Sequence, residues 1–598
     1  MAEYLFDLES DGLLDRLTKI HSLVLREVTT KEVFSYGPHE VEVGVKKLME
    51  AEKLIGHNVI GFDIPALQKV YPDFAVERGR VFDTLVATRL LYTDLSDTDC
   101  GRVKIGKLPA KYRGSQGLAA WGYRLGVLKG TFGETSDWSE WSQEMQDYCE
   151  QDVAVTAELY ARILNKAESA RSLELEHQVA WIVEEQRRHG FLFDTAQAEE
   201  LYRILSIERA VLERDLQTAF DPWYSAVEVK TPTKDMIYKS VDRHSVWKGA
   251  PYTVIKHNLF NPNSRMHIAD RLTAKYGWKP TEVTPDGRPK VDETVLEALP
   301  YPEAQKIAHS LMIAKRIGQL AEGKNSLLNM VGPDGRIHGS VNTNGAVTGR
   351  MTHSFPNVAQ VPAVGKEYGK EFRSLFTVPK GKKLVGVDVS GLELRMLAHF
   401  LYPYDQGAYA KALLEEDIHT VNQIAAGLPD RSAAKRFIYA FLYGGGDELI
   451  GSIVGGGKKE GKAIKERFYE ATPAIKTLTD KCQNWVRKRG MLPGLDGREL
   501  RSRSPHSALN LLLQSGGALV CKQWAVEMDK ALIREGLKHR CQVVANIHDE
   551  HQYECDEEIA ERVGQLSIQS IKDAGKFFDI RIELDGEAKI GNNWADTH

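Results

Sequence analysis

No stretch of this chain stays apolar long enough to cross a membrane, and its first residues, Met-Ala-Glu-Tyr-Leu-Phe-Asp, are acidic where a secretory leader would be basic. The sequence therefore predicts a cytoplasmic protein with no membrane partner. It also lacks any C-x-x-C pair: Cys100, Cys149, Cys482, Cys521, Cys541 and Cys555 are scattered over 598 residues. That scatter excludes a zinc ribbon or a disulfide framework and suits reduced core or surface residues. A basic excess is missing too. The formal charge of -5 rules out a uniformly basic nucleic-acid coat, yet leaves room for local basic faces and for acidic clusters that hold metal. Gly451-Ser-Ile-Val-Gly-Gly-Gly457-Lys458-Lys459 comes near a phosphate-binding P-loop, but Ser452 stands at the first glycine position and Lys459 at the Ser/Thr position, which excludes an ATPase. What remains is ordinary for a globular protein, with 42% hydrophobic and 27% charged residues, in a chain too long for one core.

The most informative stretch is Leu384-Val-Gly-Val-Asp388-Val-Ser-Gly-Leu-Glu393-Leu-Arg395-Met-Leu-Ala-His-Phe400. A strand-like run ends at Asp388, a Ser-Gly pair breaks it, and a largely apolar helix follows. A lone carboxylate at a strand end is usually a cap or a loop ion pair, so Asp388 gains weight only from a second acid of the same kind. Cys541-Gln-Val-Val-Ala-Asn-Ile-His548-Asp549-Glu550-His-Gln-Tyr-Glu-Cys555 supplies it, as two strand-like runs around a tight turn with Asp549 near the tip. If the two strands are neighbours, Asp388 and Asp549 could hold two divalent cations, the arrangement used for in-line displacement at phosphorus.

The N-terminal third carries its own acids. In Tyr4-Leu-Phe-Asp7-Leu-Glu9, Asp7 and Glu9 share one face of a short strand. His57-Asn-Val-Ile-Gly-Phe-Asp63 puts a third acid in a turn before an apolar segment. Met145-Gln-Asp-Tyr148-Cys-Glu-Gln-Asp152 reads as a helix with Tyr148 and Asp152 on one face. In this order the three motifs resemble the RNase H-like, DEDD-type 3′→5′ exonuclease fold. The resemblance implies that Asp7, Glu9, Asp63 and Asp152 bind two Mg²⁺ or Mn²⁺ ions and that Tyr148 orients the attacking water.

Two helical stretches follow, one over 173–190 and one ending near Phe220. Residues 221–258 then mix prolines, lysines and aromatic residues without clean periodicity and are expected to be an inserted loop or small subdomain, either a surface loop, a DNA clamp or a docking platform. The strip Arg336-Ile-His-Gly-Ser-Val-Asn342 through Arg350 to Gln360 is polar and turn-rich and suits phosphate and minor-groove contacts. Past Asp417-Ile-His419, the run Arg431-x-x-x-Lys435-x-x-x-Tyr439-x-x-x-Tyr443-Gly444 sets two cations and two rings along one winding helical face. Two cations followed by two rings is the chemistry that grips a triphosphate and covers a base and sugar.

Taken in that order, and with Phe441-Leu-Tyr-Gly444, Gly494-Leu-Asp-Gly-Arg498 and Gly591-Asn-Asn-Trp594 in matching places, the chain resembles family A DNA polymerases, closest to the replicative enzymes of T-seven-like phages. The resemblance covers nearly the whole chain. It implies an exonuclease domain at 1–168 (α/β) and a right-hand polymerase (α+β): a thumb at 169–335 with the insert at about 221–258, a palm at 336–420 and 498–598, and fingers at 421–497. An additional 5′ nuclease domain is not expected ahead of the exonuclease strand. By the same resemblance Asp388, Asp549 and the carbonyl of Val389 hold two Mg²⁺ ions, with Glu550 a secondary acid. Lys435 acts as general acid or charge stabiliser toward pyrophosphate, Arg431 meets the γ-phosphate, and His419 and Tyr439 complete the nucleotide site. Glu393 pairs with Tyr443 to reject a ribose 2′-hydroxyl. Arg350, Gln360, Arg498, Asn510, Gln514 and His548 are expected along the primer-template DNA. Expected partners besides DNA and dNTPs are host thioredoxin at the shortened insert, a phage helicase-primase and a single-strand-binding protein. The competing readings are a stand-alone exonuclease with a DNA-binding C-terminal half, a catalytically silent replisome scaffold, and a single-subunit RNA polymerase.

Overall fold

The alternation Tyr4-Leu-Phe-Asp-Leu-Glu9 becomes the middle strand of a five-stranded sheet in the computed structural model, which describes residues 2–598 except 130–131, 136, 167–168, 240, 242–243, 281–282 and 285. Its strands are β1 (Glu3–Ser10), β2 (Ile20–Glu27), β3 (Val33–Tyr36), β4 (Lys53–Gly56) and β5 (Val81–Asp83), in the spatial order β3-β2-β1-β4-β5. β1 pairs antiparallel with β2 but parallel with β4, and the parallel pair needs a crossover, which the helix Val41–Glu50 provides. Further helices of this part include α1 (Asp63–Val70), α2 (Leu118–Leu125), α3 (Gln143–Leu164) and α4 (Ala170–His189). The Ser142 side chain accepts a hydrogen bond from the Met145 N–H at 3.2 Å and so starts α3, whose Met145, Cys149, Val153, Thr156 and Ile163 are buried at helical spacing.

Contacts divide the chain into two units, one of residues 1–192 and 336–598, the other of residues 193–335. The second unit contains α5 (Thr195–Ala219), β6 (Trp223–Lys230), β7 (Tyr252–Asn258), α6 (Arg265–Tyr276) and α7 (Pro302–Ile317). Leu216, Phe220, Phe260, Ile268, Leu272 and Ile307 form its core. Within the expected insert, β6 and β7 pair as an antiparallel ribbon. The ribbon leaves Tyr224, Val227, Val229 and Ile255 exposed, so no alternation of buried and polar residues marks it in sequence.

The first unit resumes with β8 (Lys382–Val389), α8 (Leu392–Asp405), α9 (Ile418–Ala426), α10 (Arg431–Leu442), α11 (Ala508–Arg534), β9 (Cys541–Ile547), β10 (Glu550–Asp556), α12 (Ala560–Phe577) and β11 (Gly586–Gly591). Its antiparallel sheet runs β9-β10-β8-β11. α11 is buried over most of its 27 residues and packs against α8, α12 and α4. Gly516 lets α8 approach it, since a Cβ there would lie 3.0 Å from the Met396 sulfur. The contacts of α4 with α11 and β9 put it in this unit. The Gly451–Lys459 run joins two helices, Asp447–Ser452 and Lys458–Ala471, so no strand leads into it as a P-loop requires.

Candidate active sites

β8 and β10 are direct neighbours with Asp388 opposite Glu550, which brings Asp388 beside the turn that carries Asp549. The Val389 N–H donates to the Asp549 carbonyl at 3.0 Å and ties the strand end to that turn. Asp388 keeps solvent access, yet partial burial of its carboxyl and the adjacent Asp549 raise its pKa to about 7. Burial and the charge of Glu393 raise Asp549 to about 6. Two like charges that resist ionising together form a hard oxygen donor set, which fits divalent cations. Glu550 is already committed: its carboxylate accepts from Trp594 and Gln552 and lies 3.6 Å from Arg373 and 3.3 Å from His598. Burial alone would raise its pKa, but those partners hold it below the ordinary value.

α10 presents the expected face. Ala433, Ala434, Phe437, Ile438, Phe441 and Leu442 are buried on one side, leaving Arg431, Lys435 and Tyr443 exposed on the other with Tyr439 half-buried. The Asp430 side chain caps the helix by accepting from the Ala433 N–H at 2.7 Å. The Tyr439 and Tyr443 rings lie 6.4 Å apart, and the His419 ring stands 6.4 Å from Tyr439. The Tyr443 hydroxyl donates to Glu393 Oε1 at 3.2 Å, so the expected pair does meet. Arg350 approaches the same carboxylate oxygen at 3.6 Å. Sequence reasoning missed the partner of Arg431, whose guanidinium binds both oxygens of Asp417 at 2.5 and 3.2 Å. Their spacing of fourteen residues across a helix junction carries no periodic signal.

The N-terminal acids also converge. Asp7 and Glu9 lie on β1, Asp63 opens α1, and Asp152 is on α3, with Glu9, Asp63 and Asp152 buried. Burial raises every one of them, and their mutual repulsion adds to it for Asp7 and Glu9: Glu9 reaches about 8, Asp63 about 7 and Asp152 about 6, and Asp7 is also held well above the usual carboxylate range. Asp152 is only 2% exposed, and its Oδ1 has no hydrogen-bond partner. An orphaned buried carboxylate oxygen among three other acids fits a hard divalent cation. One residue of this cluster escaped the sequence reading: the Lys129 ammonium pairs with Asp152 Oδ2 and sits 4.6 Å from the centre of the Tyr148 ring. A lone lysine after Val127 and Leu128 gives no signal in one sequence.

Against this geometry, the family model of DNA polymerase family A matches residues 234–596. The chain belongs to that family. This family A chain is 40% identical to the DNA-directed DNA polymerase of Escherichia phage T7, with 99% of each chain covered, and equally so to that of Enterobacteria phage T3. These relatives agree with the resemblance to T-seven-like enzymes. The solved POL domain of Pol1 from M. smegmatis, in complex with DNA primer-template and dNTP, shares its fold at a TM-score of 0.74 and 17% identity, over 99% of this chain and 96% of that one. DNA-directed DNA synthesis by nucleotidyl transfer goes with the membership, and family A polymerases use divalent metal ions, generally Mg²⁺. Among the described residues no helix is long and apolar enough to cross a membrane.

The residues expected along the DNA divide in this family A polymerase. Asn510 and Gln514 are half-buried, one turn apart at the start of α11, and the Asn510 amide donates to the Tyr443 carbonyl at 3.4 Å. His548 is exposed at the turn before Asp549, and Gln360 is exposed at the end of the short turn Val358–Gln360. Arg498 is a correction. It is 4% exposed, bonded to Asp496, Glu176 and Asn344, and cannot face a duplex. Lys522, fully buried, shares Glu176, so the site is an internal ion network. The Gly-Leu-Asp-Gly-Arg motif looks like a surface turn in sequence because the two acids that bury its arginine are not both local.

Proposed function

We propose that this family A polymerase replicates a phage genome with two separate acid sites, one for synthesis and one for 3′→5′ proofreading. The observation that carries the synthetic site is the Tyr443–Glu393 hydrogen bond, because it ties the cation-and-ring face of α10 to the helix that follows Asp388. In this reading residues 1–168 form an RNase H-like exonuclease domain, 336–420 and 498–598 a palm, 421–497 fingers, and 169–335 a thumb. Asp388, Asp549 and the Val389 carbonyl hold two Mg²⁺ ions. When bound, these ions make the primer 3′-hydroxyl more acidic and neutralise charge on the pyrophosphate. The 3′-oxygen forms its bond to the α-phosphorus as the bond to pyrophosphate breaks. Lys435 stands on the solvent side of α10, placed to give a proton to the departing oxygen. Arg431 exchanges Asp417 for the γ-phosphate, a swap between two anions in exposed surroundings. Tyr439 and Tyr443 pack on sugar and base, with His419 beside them, and Glu393 takes up the space a 2′-hydroxyl would need.

In the exonuclease site Asp7, Glu9, Asp63 and Asp152 hold two Mg²⁺ or Mn²⁺ ions, and Tyr148 orients the water that attacks the terminal phosphodiester. Primer-template DNA and dNTPs are the substrates. Host thioredoxin at the β6–β7 ribbon, a helicase-primase and a single-strand-binding protein are the proposed partners. The test is a pair of variants assayed on primed template and on single strands. Asp388→Asn abolishes extension and leaves strand degradation intact; Asp63→Ala does the reverse. Loss of both activities in either variant would overturn the two-site reading.

A further inference from the structure

Lys129 is held in place from two sides. After α2 the chain turns at Gly126 and doubles back, with the Val127 N–H donating to the Gly122 carbonyl at 3.1 Å. The return passes so close that a Cβ on Gly122 would lie 2.7 Å from the Val127 carbonyl oxygen and 3.2 Å from the Lys129 nitrogen. From α3, the Gln151 amide donates to the Leu128 carbonyl at 2.9 Å. Together these set the Lys129 ammonium over the Tyr148 ring and beside Asp152 Oδ2. Burial opposes the charge on Lys129, but Asp152 and Asp7 overcome it and keep the group protonated.

An ordinary structural ion pair would engage one carboxylate with both oxygens satisfied. Here one ammonium faces a cluster of four acids, and Asp152 Oδ1 remains open beside it. Lysine is a compact charge on a flexible four-carbon stem, able to withdraw without a change in the backbone.

We propose that Lys129 is an internal counter-ion that competes with divalent metal for Asp152, so that cation entry to the N-terminal acid site is an exchange of metal for ammonium. This rests on the exonuclease reading of that site. The lysine neutralises the acid cluster when metal is scarce and sets the metal concentration at which the site loads.

The full chain carrying Asp388→Asn and Asp549→Asn, which confines the metal signal to the N-terminal site, is titrated with Mn²⁺ by calorimetry and melted in EDTA and in saturating Mn²⁺. Adding Lys129→Met should tighten Mn²⁺ binding by about tenfold, equivalent to about 1.4 kcal/mol. It should also lower the melting midpoint in EDTA and leave the midpoint in Mn²⁺ unchanged. Lys129→Arg should restore the parent values. Binding that is unchanged or weaker in Lys129→Met overturns the exchange. So does failure of both Lys129→Met and Lys129→Gln to fold in Mn²⁺ while Lys129→Arg folds, which would make the lysine purely structural. Single-strand degradation by the parent is measured alongside: its absence removes the exonuclease reading, while the Mn²⁺ titration still decides the role of Lys129.

Discussion

Arg498 and Glu393 show how far a single residue can be read without its surroundings. Both were expected to face substrate, and the structure separates them. Removing the Arg498 guanidinium leaves Glu176 and Asp496 buried with one cation fewer, and breaking a buried pair in this way costs about 3–5 kcal/mol. Arg498→Ala should therefore lower the melting midpoint sharply; a variant that melts normally and loses only DNA affinity would restore the surface role. Glu393 is different, being half-buried and bonded through Tyr443. Glu393→Ala should melt nearly as the parent does but raise ribonucleotide use relative to deoxynucleotide use by about 10–200-fold, the range of one lost discriminating contact. The check is the ratio of kcat/KM for the two nucleotides. Tyr439→Phe, which removes a phenolic oxygen beside the proposed sugar position, should lower dideoxynucleotide incorporation, read from chain-termination ratios.

Elements divide their work by face, and α10 makes the division testable. Phe437→Ala should cost about 3–5 kcal/mol by opening the apolar side. Lys435→Ala, on the exposed side, should change stability by less than about 0.5 kcal/mol, yet slow single-turnover extension by about 10²–10⁴-fold if the lysine is the general acid. Equal effects of the two on melting would contradict the two-faced helix. The legibility of elements follows the same logic. α10 was readable because its burial repeats every three to four residues, and β8 because its buried middle, Leu384 to Val387, is a continuous run of apolar residues and glycine. The β6–β7 ribbon was not, since exposed apolar residues on a two-stranded sheet follow no core-facing period.

At the scale of the whole molecule, the acid clusters make stability depend on pH in the direction opposite to ordinary salt-bridged carboxylates. Glu9, Asp63, Asp152, Asp388 and Asp549 titrate at about 6 to 8 when folded, against reference values of 3.8 to 4.5. Across that window the folded chain holds acid protons that the unfolded chain has released, whereas buried histidines such as His57, His353 and His399, lowered to about 4, oppose the trend below their ordinary value of 6.5; above it the acids alone set the sign, and stability falls as pH rises from about 6.5 to about 8. Metal reverses the sign, because it binds the deprotonated carboxylates of the folded state only. Melting curves in EDTA from pH 6.5 to 8 should move to lower temperature, and Mg²⁺ should recover most of the loss at the upper end. A melting midpoint in EDTA that rises between pH 6.5 and 8 would contradict the clusters as described.

The sequence by itself determined the order of the motifs, the acid pairs at strand ends and the two-faced α10 helix. These rest on local spacing along one strand or helix, which a single chain displays directly. Only the tertiary structure decided that Arg498 is an internal counter-ion, that Asp417 occupies Arg431 and Lys129 occupies Asp152, and that the insert contains a paired ribbon. Charge pairing and burial act between residues that folding brings together from tens or hundreds of positions away, and no local period records them.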